Sequence, residues 1–250
     1  MDDFREATPQ AFCYVCLTAL AAVIVFLWSK PFALGILWIA CVAGGVFLYG
    51  RQRPRSLGLS LRNVAGGAVY AIVLWAVAWG VMAGSALVER EPVQWPASKA
   101  FIVPVLMQLF FYALAEEIIF RGFILAQLYR KLRRAFTGRV WALVTAVILS
   151  QLFFALWHIP NRLYTHTPAV AILHSLAAVF AAGVLYSLIY LRTANLTTCL
   201  VAHAFSNVPG IYGGPIEPWA QFAMLGLALV LADAYARVES KRLGVKSIAL

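Results

Sequence analysis

Glu116, Glu117 and Arg121 fall within six residues of an otherwise uncharged apolar run, residues 101–128. A charge at the centre of a bilayer costs about 2.5–3.5 kcal/mol on insertion scales, so three of them must neutralise one another or do chemistry. Helix geometry divides the work. Glu117 and Arg121 are i,i+4 and share a face, where they can pair. Glu116 lies roughly 140° around the axis from Arg121 at 100° per residue. It can therefore point towards other helices while its neighbour is held. A carboxylate aimed into an apolar bundle is a candidate general base.

Two later segments offer partners. Phe154 and His158 are i,i+4 on one predicted helix, and His203 and Asn207 are i,i+4 on another. An imidazole and an amide on one helix face can converge on a small site, which suits a polarised carbonyl or a metal. Each pattern by itself has a plainer explanation. The F-x-x-x-H spacing is common for a packed histidine, and an isolated acidic–basic run can be a structural ion pair or an ion pathway. Three such patterns, in order, on three apolar segments point to one site.

Together, Glu116-Glu117-x-x-x-Arg121, Phe154-x-x-x-His158 and His203-x-x-x-Asn207 resemble the motifs of the CPBP intramembrane proteases. That family includes the type II CAAX prenyl endopeptidases and the bacterial ABI proteins. Arg121-Gly122 and Ile159-Pro160-Asn161 extend the likeness, which covers residues 101–209. The resemblance implies a glutamic peptidase whose site residues are Glu116, Glu117, Arg121, His158, His203 and Asn207.

The elements that must position these groups follow from composition. The chain is 63% hydrophobic and 12% charged, with a mean hydropathy of +0.83, which predicts a membrane protein. Apolar segments at 11–28, 31–49, 64–88, 101–128, 140–158, 169–191 and 219–236 are long enough to span, and 196–208 is short. The expectation is an all-α, multi-pass bundle of about eight transmembrane helices around a polar intramembrane site. It forms a single domain, 1–250, with a catalytic core at 101–209. Glu91-Pro92, Trp95-Pro96 and Pro209-Gly210 mark breaks between helices, and Asn195 is a candidate N-cap. Trp28, Trp38, Trp95, Trp141, Trp157 and Trp219 suit an interfacial belt.

The net charge of +10 is explained by topology rather than nucleic acid. With a cytoplasmic N-terminus, the inside segments hold Arg5, the arginines at 51, 53, 55 and 62, the basic run 130–139, Arg192 and the basic residues from 237 onwards. Lys30, Arg90, Lys99 and Arg162 fall outside. This bias obeys the positive-inside rule and places both termini in the cytoplasm, with the basic loops against anionic lipid. The acidic start, Asp2, Asp3 and Glu6, is unlike a cleavable signal. Cys13, Cys16, Cys41 and Cys199 all fall in apolar segments and read as small buried side chains.

Peptide hydrolysis assigns roles to the polar set. Glu116 activates water, with His158 sharing it. Glu117 and Arg121 fix the local charge, and His203 and Asn207 donate to the oxyanion. No cofactor is favoured on this reading. The rival is a zinc site of His₂Glu type built from Glu116, His158 and His203, although the H-E-x-x-H spacing is missing. From other classes, the same groups could serve a transporter or a non-catalytic scaffold or immunity protein. The partners expected are membrane lipid and a membrane-associated protein or peptide. His174 and Ser175 read as structural hydrogen-bonding groups, His166 as solvated, Asn161 as a loop cap or an orienter of His158, and Asp233 as a partner of Arg237. One tension remains: counted from the inside ends of their spans, Glu116, His158 and His203 fall at unequal depths of about 19, 27 and 12 Å.

Overall fold

The computed structural model describes residues 5–29, 32–90, 98–208 and 218–243, and every regular element among them is a helix. The expected breaks at Pro92, Trp95-Pro96 and Pro209-Gly210 lie outside the described residues. Each of the eight apolar segments is helical. In chain order they are α1 (Pro9–Ser29), α2 (Phe32–Gly44, prolonged by a π turn, Gly45–Tyr49) and α3 (Leu61–Glu89). After them come α4 (Ser98–Phe110), α5 (Tyr112–Glu117), a π segment (Ile118–Leu125) and α6 (Ala126–Ala135). The chain continues through α7 (Arg139–Trp157), α8 (Ile159–Tyr164), α9 (Ala169–Thr193), α10 (Leu196–Ser206) and α11 (Pro218–Leu243). Among the described residues five helical stretches are long and apolar enough to cross a membrane, while Ile36–Tyr49 and Leu196–Ser206 are apolar but shorter.

Local chemistry sets the ends. Ser60 accepts from the amide of Asn63 (3.2 Å) and starts α3. Asn195 accepts from the amide of Thr197 (2.9 Å) and starts α10, as its position before the apolar run predicts. Gly58 takes φ +80°, where a Cβ would stand 2.6 Å from the carbonyl oxygen of Ala194. Only glycine lets this turn approach the α9–α10 link so closely.

The charged segments meet at one end of the bundle. Arg134 pairs with Glu6 (2.5 Å) and Gln127 donates to the carbonyl of Arg5 (2.9 Å). Arg62 pairs with Glu239 (2.5 Å), and Asn195 donates to the carbonyl of Asn63 (2.9 Å). Asp233 takes the expected partner Arg237 (2.6 Å) and also Arg192 from α9. The segments assigned to one side from charge are thus neighbours in space.

Three sequence expectations change. The apolar run 101–128 is not one straight helix: Pro104 lies inside α4, Phe111 leaves helical geometry (φ −131°, ψ −71°), and the π segment follows Glu117. Trp38 and Trp157 are packed in the core at 6% and 7% exposure rather than in a belt, whereas Trp141 is exposed. Trp95 and the side chains of Trp28 and Trp219 lie outside the described residues. The unequal depths also disappear. Helix α6 carries the fourth segment past residue 128 to Ala135, so Glu116 to Ala135 and His158 to Arg139 cover the same length, about 28 Å at 1.5 Å per residue. His203 on α10 stands level with Glu116, 3.5 Å from its carboxylate.

Candidate active site

The π segment builds the centre. Bonding i→i+5 widens the turn, so residues four apart lie almost directly above one another. Glu117, the last residue of α5, therefore sits under Arg121, and Arg121 Nη1 donates to Glu117 Oε1 at 2.9 Å with both side chains fully buried. The loosened turn is steadied from α7, where Ser150 Oγ donates to the carbonyl of Phe120 (3.3 Å). Arg121 Nη2 donates to Gln151 Oε1 (3.0 Å) and to the carbonyl of Gly183 on α9 (3.2 Å). Its guanidinium lies 4.4 Å from the Phe154 ring centre and 5.2 Å from that of Tyr186. Planar charge, fork geometry and aromatic faces make a burial that a lysine would not reproduce.

Glu117 is held from α10 as well. His203 Nδ1–H donates to Glu117 Oε1 (2.6 Å) and Cys199 Sγ–H to Oε2 (2.9 Å). Cys199 lies one turn before His203, so one helix face delivers both groups. The other ring nitrogen, His203 Nε2, is 3.5 Å from Glu116 Oε2. One imidazole thus bridges two adjacent carboxylates. Tyr186 covers it, with ring centres 4.5 Å apart and planes 20° apart. The Tyr186 hydroxyl bonds Ser206 Oγ, whose own proton goes to the carbonyl of His203 (2.9 Å), so Tyr186 is the donor.

Burial separates the pair of glutamates. The Glu117 side chain is 0% exposed and that of Glu116 is 15% exposed. His158 caps α7 and is half-buried. Its Nδ1–H donates to the carbonyl of Phe154 (2.8 Å), which leaves Nε2 as an acceptor. The Phe154 ring stands edge to face against both imidazoles, 4.8 Å from His158 and 6.0 Å from His203. Asn207 caps α10, is exposed, and donates to Gln108 Oε1 on α4 (3.2 Å).

The structure therefore gathers Glu116, Glu117, Arg121 and His203 into direct contact and places His158 beside them across Phe154. Asn207 stands at the rim. Two details depart from the sequence reading. Glu116 is not free of partners, because His203 faces it, and Glu117 is satisfied by Cys199 and His203 of α10 as well as by Arg121. Sequence reasoning missed Cys199, Gln151, Gly183 and Tyr186 as parts of the site. The available signals were the i,i+4 spacing of Cys199 to His203 and the buried amide of Gln151 three residues before Phe154. His174 is exposed, without a hydrogen bond among the described residues. Asn161 lies in α8, where its carbonyl accepts from Thr165. Among the described residues no group of three His, Cys, Asp or Glu side chains is arranged to hold a metal ion.

Residues 97–209 match the family model described as type II CAAX prenyl endopeptidase Rce1-like. All three motifs fall inside that stretch. No curated protein and no solved structure matches the chain.

Proposed function

We propose that this chain, whose residues 97–209 match the Rce1-like family model, is an intramembrane peptide hydrolase that works by a glutamic mechanism. The observation that carries it is the imidazole of His203 set between a sealed carboxylate, Glu117, and a half-open one, Glu116. A sealed, Arg-paired carboxylate fixes the Nδ1–H tautomer of a histidine and stabilises its imidazolium, as in hydrolase triads. The open carboxylate, 3.5 Å from Nε2, is then where water is activated.

Glu116 accepts a proton from water as the oxygen attacks the scissile carbonyl carbon. His203 in its imidazolium form donates Nε2–H to the developing oxyanion, and the amide of Asn207, from the same helix, is the second donor. His158, an acceptor at Nε2, orients the attacking water. The tetrahedral intermediate collapses, the C–N bond breaks, and Glu116 returns the proton to the leaving amine. Arg121, Glu117 and Cys199 touch no reacting atom; they hold His203 and the helix that aims Glu116.

The test is Glu116→Gln in purified enzyme reconstituted in lipid with a membrane-anchored peptide. It should abolish cleavage while leaving membrane insertion and melting behaviour unchanged. Retained cleavage would remove Glu116 from the chemistry and return the motif to a structural or transport role.

A further inference from the structure

The polar groups of the site are not distributed evenly along the bundle. Towards the basic end the core is closed: Ile118–Leu125 is buried throughout, and Gln127 is sealed against the amide of Ala7 (3.0 Å). Towards the other end it opens. Glu116 is the first partly exposed residue before that closed stretch, and Gln108, eight residues earlier, accepts from the exposed Asn207.

Helix direction gives the same answer. Helix α7 starts at the basic hairpin with Arg139 and ends at His158. Helix α10 starts at Asn195, bonded to Asn63 beside the Arg62–Glu239 pair, and ends at Asn207. Both motif residues thus lie at the ends that point away from the basic segments. A polypeptide that meets Glu116, His158 and Asn207 together arrives from that end.

Lysine and arginine bias in short loops sets membrane orientation, with the basic side cytoplasmic. The bias here is strong in sequence, and the ion pairs and hydrogen bonds above place the basic segments side by side. We infer that the mouth of the site faces the extracytoplasmic side. Its substrate class is a membrane-anchored peptide or protein whose scissile bond lies on that side, rather than a lipid-modified tail exposed to the cytosol. The substrate part of this inference rests on the proteolytic reading; the orientation does not.

Two measurements test it. The first labels cysteines in intact cells with a membrane-impermeant maleimide, in a chain with Cys13, Cys16 and Cys41 replaced by serine and the buried Cys199 kept. Thr165→Cys, in the exposed turn after α8, should label fully without permeabilisation. Thr137→Cys, in the exposed turn between α6 and α7, should label only after it. Epitopes inserted at the same turns, in the chain with its own cysteines, repeat the assay if the cysteine variants fail to accumulate. Labelling in the reverse pattern overturns the inference. The second compares new protein termini in membranes carrying the wild-type chain or Glu116→Gln. Glu116-dependent cuts should fall in extracytoplasmic segments next to membrane anchors; cuts confined to cytoplasmic tails overturn the substrate class. If no cut depends on Glu116, the proteolytic reading fails, and the labelling still decides the orientation.

Discussion

Replacing Arg121 by methionine isolates what the buried brace does. The side chain is fully buried and supplies one donor to Glu117, another shared by Gln151 and the Gly183 carbonyl, and a cation against two aromatic faces. Removing it leaves Glu117 as an uncompensated buried carboxylate with only His203 and Cys199 as donors. Breaking a buried pair from one side costs about 3–5 kcal/mol, whereas removing both partners in favour of apolar or neutral groups costs far less. At about 2–4 °C per kcal/mol for a chain of this size, Arg121→Met should melt roughly 6–20 °C below wild type. Glu117→Gln, which strands the guanidinium, should fall by a similar amount. The double variant should recover most of the loss, because the two changes share one interaction. The assay is thermal unfolding of detergent-purified protein at one fixed heating rate, with Glu116→Gln as a reference expected to melt like wild type. Arg121→Met within about 2 °C of wild type, less than 1 kcal/mol on the same scale, would refute the brace. So would a double variant whose loss is the sum of the two singles.

Other perturbations probe the surroundings. A Cβ on Gly183 would stand 2.5 Å from Gln151 Oε1 and 3.3 Å from Arg121 Nη2, whereas one on Gly80 meets nothing within 4 Å. Gly183→Ala should therefore lower both melting temperature and activity. Gly80→Ala should be neutral or gain up to about 1 kcal/mol from reduced backbone freedom, and equal behaviour of the two would sink the argument. Tyr186→Phe keeps the stack on His203 and loses the bond to Ser206, while Tyr186→Leu loses both. The expected order of kcat is wild type, Phe, then Leu, with KM nearly constant; a change confined to KM would show that Tyr186 contacts substrate instead. Under the glutamic mechanism, chelation and removal of metal leave turnover intact. Activity lost on chelation and restored by zinc would make the metal reading correct.

What could be read from sequence was the part governed by membrane cost and helical period. Three charges in an apolar run announce themselves, and i,i+4 spacing correctly joins Glu117 to Arg121. Lysine and arginine counts likewise anticipate which segments lie together, since the rule acts on each loop separately. Groups that need no charge to be important carry no such signal. Tyr186 and Gly183 look like any aromatic and any small residue on an apolar helix. Their place follows from how α9 packs on the π segment, which no local pattern specifies. Cys199 is an intermediate case: its spacing to His203 was visible, but a thiol costs little to bury, so nothing in its burial alone demanded a partner.

The π segment accounts for the largest gap between the two readings. A regular α-helix through residues 101–128 predicts a self-contained Glu117–Arg121 pair and a Glu116 pointing elsewhere. Widening the turn after Glu117 stacks Arg121 over it and opens the pair to α7, α9 and α10 at once. The result is a division of labour between neighbouring carboxylates that an isolated ion pair would not supply. Glu117 accepts from three donors of the scaffold, and Glu116, one residue earlier and at the edge of the closed core, keeps a partly exposed side chain. Because a single imidazole touches both, whatever fixes Glu117 also fixes the proton facing Glu116. Substitutions at Arg121, Cys199 or Gly183 should therefore reach the chemistry through His203 and the helix that aims Glu116, and each should combine less than additively with a change at His203 itself.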